Sequence, residues 1–253
     1  MNAKKTTIDY DAVDSFSSLA SDWWNQDKGA ARMLHEINPI RLRYIKDHVA
    51  RILLHPSNSA SYRDIKLLDV GCGGGILTLP LANIGFNTTG IDASKELIKV
   101  AEEHAAANVL RNDLVLKYEN ISAEDLASKP PTPQYHLITA LEIIEHVADL
   151  QLFIESCDKL LVPGGLMFFA TINRNIKSFI QAILLAEYVL GWGPRGTHKL
   201  SQFVKPSEIV FYLHNYKIVN ISGLKYSIIK REWKLCSDDT SVNYIMCVSK
   251  NHS

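Results

Sequence analysis

Four glycines within five residues, Gly71-Cys72-Gly73-Gly74-Gly75, fall where an apolar strand-like run, Lys66 to Val70, meets a helical pattern, Ile76 to Ile84. At such a junction glycine lets the backbone turn sharply and come close to a ligand. From Ile65 onward short apolar runs alternate with longer helical patterns, the mark of βαβ units winding a mostly parallel sheet. Asn87 to Ile91, Leu114 to Tyr118, Leu137 to Leu141 and Leu166 to Ile172 read as further strands. Lys95 to Asn108 and Leu150 to Leu161 read as helices, with Pro163-Gly164-Gly165 as a turn. Lys217 to Ile221 and Val242 to Val248 read as an antiparallel pair that closes the sheet. The expectation is one Rossmann-like α/β domain over residues 1–253, with a mostly parallel seven-stranded sheet and helices on both faces. Residues 1–64 read mainly as helix, and residues 174–204 as an insertion.

Composition narrows the functional classes. Lysine plus arginine and aspartate plus glutamate each number 27, so no global basic field draws the chain to nucleic acid, and no such partner is expected. Cys72, Cys157, Cys236 and Cys247 lie scattered, without a metal-ligand spacing or a paired framework, which suits a reducing compartment. The first thirty residues carry neither an apolar signal core nor an Arg-rich transit pattern, so the cytoplasm is the expected setting.

Asp92 follows the glycine loop by roughly 20 residues, at the end of the next strand-like run, where a carboxylate can accept hydrogen bonds from both ribose hydroxyls of an adenosine. Its alternative role is a helix N-cap, since Ala93-Ser94-Lys95 opens the next helix. The loop lacks the third-glycine arrangement of a nicotinamide fingerprint and begins with Asp69. A carboxylate there repels a pyrophosphate and suits the cationic methionine end of S-adenosylmethionine. On these residues the chain resembles the class I adenosylmethionine-dependent methyltransferases. The resemblance implies that the acidic patch after strand three, here Ser122, Ala123 and Glu124, meets the adenine.

Further segments narrow the match: Ile37-Asn38-Pro39-Ile40-Arg41, Trp23-Trp24, Asn173-Arg174-Asn175, Thr197-His198-Lys199 and Val242-Asn243-Tyr244. Together they are similar to the ubiquinone-biosynthesis O-methyltransferase family over nearly the whole chain. The resemblance implies methylation of a polyprenyl hydroxyphenol and of a demethylubiquinol. It also implies cofactor contacts at Arg41, Gly71, Asp92 and Leu141, to which the loop adds Asp69 and Gly73. Arg41 would clamp the methionine carboxylate.

A phenol with a pKa of about 10 is a poor nucleophile at neutral pH, so its proton has to be removed or its charge screened. Glu142, Glu145 and His146 follow strand four at the mouth of the sheet, where open α/β folds bind substrates. Two mechanisms fit them. A divalent ion on these three side chains would acidify the ring hydroxyl, with magnesium implied by eukaryotic members of the family, or His146 would take the proton directly. A structural role, with Glu145 capping a helix end, is the plainer alternative.

The stretch Phe179 to Trp192 is nearly all apolar apart from Gln181 and Glu187, yet shorter than the about 20 residues a membrane span needs. Arg174, Lys177, Arg195 and Lys199 flank it. It reads either as a lid helix or as a segment in the headgroup layer that admits a prenyl tail, with residues 174–199 as the membrane-facing surface. The expected place is therefore the inner face of the membrane, peripherally bound, with other quinone-making proteins as candidate partners.

Overall fold

The computed structural model describes residues 5–54, 61–108, 113–175, 202–227, 230 and 232–252. Before the sheet come a short helix α1 (Tyr10–Ser17) and a long helix α2 (Arg32–Ile52). The alternating body follows: β1 (Lys66–Val70), α3 (Thr78–Ile84), β2 (Asn87–Asp92), α4 (Lys95–Asn108), β3 (Leu116–Asn120), α5 (Ala123–Ala127), β4 (Tyr135–Leu141), α6 (Leu150–Leu160) and β5 (Leu161–Ile172). After the insertion come α7 (Pro206–Tyr212), β6 (Tyr216–Ser227), β7 (Glu232–Cys236) and β8 (Asn243–Lys250). Residues 176–201, the greater part of that insertion, lie outside the described residues, and so does its expected lid or membrane segment. Among the described residues no helix is long and apolar enough to cross a membrane.

The strands form one sheet in the order β3-β2-β1-β4-β5-β8-β6-β7. β1 to β5 run parallel, and β8, β6 and β7 add on as antiparallel neighbours. The seven expected strands are present, and an eighth, β7, extends the edge as the second arm of a hairpin with β6. The closing pair is as expected, with β8 seated between β5 and β6. Pro163-Gly164-Gly165 is not a separate turn. β5 already starts at Leu161, and its pairing with β4 shifts register between Tyr135 and Leu137, so the irregularity is taken up inside the ladder.

Side-chain alternation divides the core. Leu68, Ile138, Met167, Phe169 and Met246 face α5, α6 and α7, whereas Leu67, Leu137, Phe168 and Ile245 face α2 and α3. Both faces are covered, which explains why these strands are apolar at nearly every position. α2 lies on the second face through Ile37, Tyr44, Ile45 and Val49, with the Tyr44 ring edge-on to Phe168 at a centroid distance of 6.0 Å. This seats the start of α2 beside the glycine loop, where the Asn38 side chain donates to the Ile76 carbonyl at 2.7 Å.

Phe168 is fully buried in that layer. Phe168→Ala is expected to cost about 3–5 kcal/mol in a urea unfolding titration, since the cavity adds to the lost transfer energy. A loss below about 1 kcal/mol would show that the layer repacks or is not the core described.

Candidate active site

β1 pairs with β2 on one side and β4 on the other, so the strand order reverses between β1 and β4. Ligands of open α/β sheets bind outside the carboxyl ends of the strands at such a switch point. A cavity of about 570 Å³ opens there, lined among others by Asn38, Arg41, Gly71, Gly73, Asp92, Ser122, Ala123, Leu141, Glu142, Glu145 and His146. Its size and mixed polar and apolar walls suit a nucleoside with an amino-acid tail.

The glycine loop forms the floor. Gly71 has a φ of 70° and its amide donates to the Ile91 carbonyl at 2.9 Å, which ties the loop to β2. A side chain at this position would run into Ile143, so both the dihedral and the space call for glycine. Asp92 closes the arrangement, accepting from the Gly73 amide and from the Ser94 amide, each at 2.8 Å. The ribose and helix-cap readings therefore coexist. The Ser94 bond begins α4, while a carboxylate with two hydrogen-bonded oxygens keeps free lone pairs for ribose hydroxyls. Burial pushes the Asp92 carboxyl up, opposed by these amide bonds. Leu141, at the end of β4, gives the cavity an apolar contact.

Asp69 lies beneath the loop. Its Oδ1 accepts from Thr139 Oγ1 and its Oδ2 from Thr78 Oγ1, both at 2.6 Å. The carboxylate braces β1, β4 and α3 and adds negative potential under a cationic ligand. Burial raises its pKa to about 6 against the two hydroxyl bonds.

Glu124 departs from the expectation. Ser122 and Ala123 line the cavity, but the Glu124 carboxylate is held by Thr6 and Thr7 of the N-terminal stretch. It is no adenine contact in this arrangement, because Ser122 caps α5 and Glu124, in the first turn of that helix, turns its carboxylate to Thr6 and Thr7. Burial acts to raise its pKa, yet the hydrogen bonds from Thr7 and Thr6 outweigh that, and the carboxyl sits below the ordinary range.

On the other wall the Arg41 guanidinium, 4% exposed, forms an ion pair with Glu142 Oε1. Arg41 Nε is buried without a partner. Glu142 follows β4 with a φ of 55°, and its amide donates to the Ala170 carbonyl at 2.7 Å. This left-handed turn directs the carboxylate back over the strand end. Burial raises the Glu142 pKa to about 7, Arg41 opposing and Glu145 reinforcing. Glu145 is buried too, also with a raised pKa from burial. His146 lines the cavity, half-buried, with the Phe16 ring edge-on at a centroid distance of 4.9 Å.

The metal expectation on Glu142, Glu145 and His146 meets this geometry poorly. Among the described residues no group of three or more His, Cys, Asp or Glu gathers as metal ligands. The reason is local: Arg41 already neutralises Glu142, and Glu145, though it lines the cavity, is only 6% exposed. The donors do not fit a divalent ion here.

The N-terminal residues complete the cavity in a way that spacing did not reveal. Phe16, Leu19 and Trp23 line it, and Trp23 lies so close over Gly73 and Gly74 that added side chains would collide with its ring. The absence of side chains at those two glycines is the one sequence signal that a large ring has to rest there.

The fold and this site define a methyltransferase. The methyltransferase domain family matches residues 34–218. Solved structures share the fold: magnesium protoporphyrin IX methyltransferase from Synechocystis PCC 6803 with bound SAH superposes with a TM-score of 0.62 at 16% identity, covering 96% of this chain and 99% of that one. N-methyltransferase NodS from Bradyrhizobium japonicum WM9 gives 0.57 at 15% identity, covering 94% and 98%. Sequence relatives are more specific. Ubiquinone biosynthesis O-methyltransferase from Pelagibacter ubique (strain HTCC1062) is 41% identical over 247 residues, spanning 97% of this chain and 99% of the relative. Its namesakes from Mesorhizobium japonicum and Colwellia psychrerythraea are 40% identical, spanning 98% and 97%, and 38% identical, spanning 99% and 100%. The chain belongs to the ubiquinone biosynthesis O-methyltransferase family.

Asp69 offers a test of the buried floor. A carboxyl with a pKa raised on folding stabilises while protonated, and that contribution is lost as pH rises through the folded value. Relative to Asp69→Asn, the wild-type chain is expected to lose up to about 3 kcal/mol of unfolding free energy between about pH 4 and pH 6. A difference independent of pH in denaturant titrations would contradict a net cost of burying this carboxylate beyond what its two hydroxyl bonds offset.

Proposed function

We propose that the chain transfers the methyl group of S-adenosylmethionine to phenolic hydroxyls of polyprenylated ubiquinone precursors, a 2-polyprenyl-6-hydroxyphenol and 3-demethylubiquinol. One observation carries the reading. The glycine loop and Asp92 face, across one cavity, a buried cation and a group of titratable side chains that follow β4. Adenosine-binding and proton-handling groups thus share a space.

Bound S-adenosylmethionine supplies an electrophilic methyl on a sulfonium, whose sulfur keeps the bonding pair as the new carbon–oxygen bond forms. Asp92 holds the ribose, Ser122 and Ala123 flank the base, and Arg41 binds the methionine carboxylate through the guanidinium face not engaged by Glu142. His146 takes the phenolic proton, since it lines the cavity as the imidazole of the trio, while Glu142 is paired with Arg41 and Glu145 is buried. Glu145 is buried, which raises its pKa, and Glu142 anchors Arg41. Phe16, Leu19 and Phe153 bound the space and keep water from the reacting oxygen. A prenyl tail is proposed to leave toward residues 174–199, a reading supported by the apolar stretch and flanking cations of that segment.

With a short-chain demethylubiquinol, His146→Ala is expected to lower kcat roughly 10²- to 10⁴-fold while leaving adenosylhomocysteine affinity within about threefold. Transfer by the wild type is expected to survive chelation. Loss on chelation with recovery in magnesium would overturn the role given to His146 and make the trio metal ligands. Absence of transfer to any quinol would remove the acceptor assignment.

A further inference from the structure

Glu124 occupies the place after β3 where an adenine contact was expected, yet its carboxylate is engaged by another part of the chain through both oxygens. Oε1 accepts from Thr6 Oγ1 at 2.8 Å and from the Thr7 amide at 2.9 Å, and Oε2 accepts from Thr7 Oγ1 at 2.6 Å. These bonds cross more than a hundred residues of sequence. They belong to a series. The Thr7 carbonyl accepts from the Ala148 amide at 3.0 Å, and Ile8 bridges to Val147 beyond β4. Ser17 Oγ and Ser94 Oγ share a hydrogen bond of 2.7 Å beyond β2. Trp24 Nε1 donates to the Gly74 carbonyl at 2.9 Å in the glycine loop.

Residues 5–24 are therefore a strap fastened beside the ends of β1, β2, β3 and β4. Its helix α1 has no buried residue, although Ala12 and Phe16 line the cavity. The far end of the strap is anchored by Ala20 and Trp23, which pack on Ile76 and Leu97. No apolar side chain of residues 5–19 is fully buried, so that part is held mainly by discrete polar ties, which can open locally without unfolding the sheet. Each tie also reaches a segment that borders the proposed donor site.

We infer that the contact of Glu124 with Thr6 and Thr7 is a latch, and that the strap it holds governs exchange of the methyl donor and its product. Glu124 is a positioning residue, acting through the strap and not by touching the ligand. Closure also sets Phe16 edge-on to His146, so the same latch shapes the acceptor side. The inference rests on the adenosylmethionine reading of the cavity.

The test is the dissociation rate of adenosylhomocysteine from the full chain by stopped-flow displacement. The variants are Glu124→Ala, Glu124→Gln, Thr7→Val and the double variant Thr7→Val with Glu124→Ala, each checked for an unchanged cooperative melting transition. Glutamine keeps an acceptor for Thr6 and the Thr7 amide and a donor for Thr7 Oγ1, so it conserves both latch and fold. Release is expected to accelerate roughly tenfold in Glu124→Ala, measurably in Thr7→Val, and no further in the double variant, with Glu124→Gln near wild type. No acceleration in Glu124→Ala, or acceleration that Thr7→Val does not share, would overturn the latch. No binding by the wild-type chain would overturn the donor reading itself, and the latch with it.

Discussion

A guanidinium taken out of water has to find a counter-charge, and the site is organised around that requirement. Arg41 projects from α2 into the carboxyl end of the sheet, where Glu142 meets it from the turn after β4. Burial pulls the Arg41 pKa down, while Glu142 and Glu145 act to hold it up. The pair fixes two elements at once: α2 cannot slide from the sheet without stranding a charge, and Glu142 stays in its left-handed turn. A cation is thereby held beside the glycine loop, facing the region where an amino-acid carboxylate would lie.

The remainder of the site follows from topology. Strand order reverses between β1 and β4, so the segments after β1, β2, β3 and β4 converge on one opening. Each supplies a different chemistry: bare backbone from the glycines, a carboxylate from Asp92, small side chains from Ser122 and Ala123, and titratable groups from Glu142 to His146. What the sheet leaves uncovered, the N-terminal strap covers. The binding space is thus built from local turns on a rigid sheet and from one segment held by long-range polar ties, and these two parts differ in how readily they open.

Much of this was legible in the residues. The βαβ order, the glycine loop and Asp92 obey local rules in which spacing along the chain reports position in space, and β1 and α4 fall where the pattern puts them. β3 starts at Leu116, two residues later than Leu114, and β7 carries little apolar signal because Glu232–Cys236 is a short edge strand. Glu124 points elsewhere than its spacing suggests for a different reason. Its position after β3 was right, but the direction of a side chain on a five-residue helix depends on its cap, and its partners Thr6 and Thr7 lie at the far end of the chain. The ion pair that meets the metal expectation is long-range in the same way, since Arg41 lies 101 residues from Glu142 and spacing around Glu142 says nothing of it.

The central claim is that the buried Arg41 receives the carboxylate of the methyl donor. Calorimetric titration of the wild type and Arg41→Gln with adenosylhomocysteine and with its decarboxylated analogue tests this directly. The wild type is predicted to prefer the carboxylate-bearing ligand by roughly 10- to 100-fold, and Arg41→Gln to lose most of that preference. Equal binding of the two ligands by the wild type, or a preference that survives in Arg41→Gln, would contradict the account.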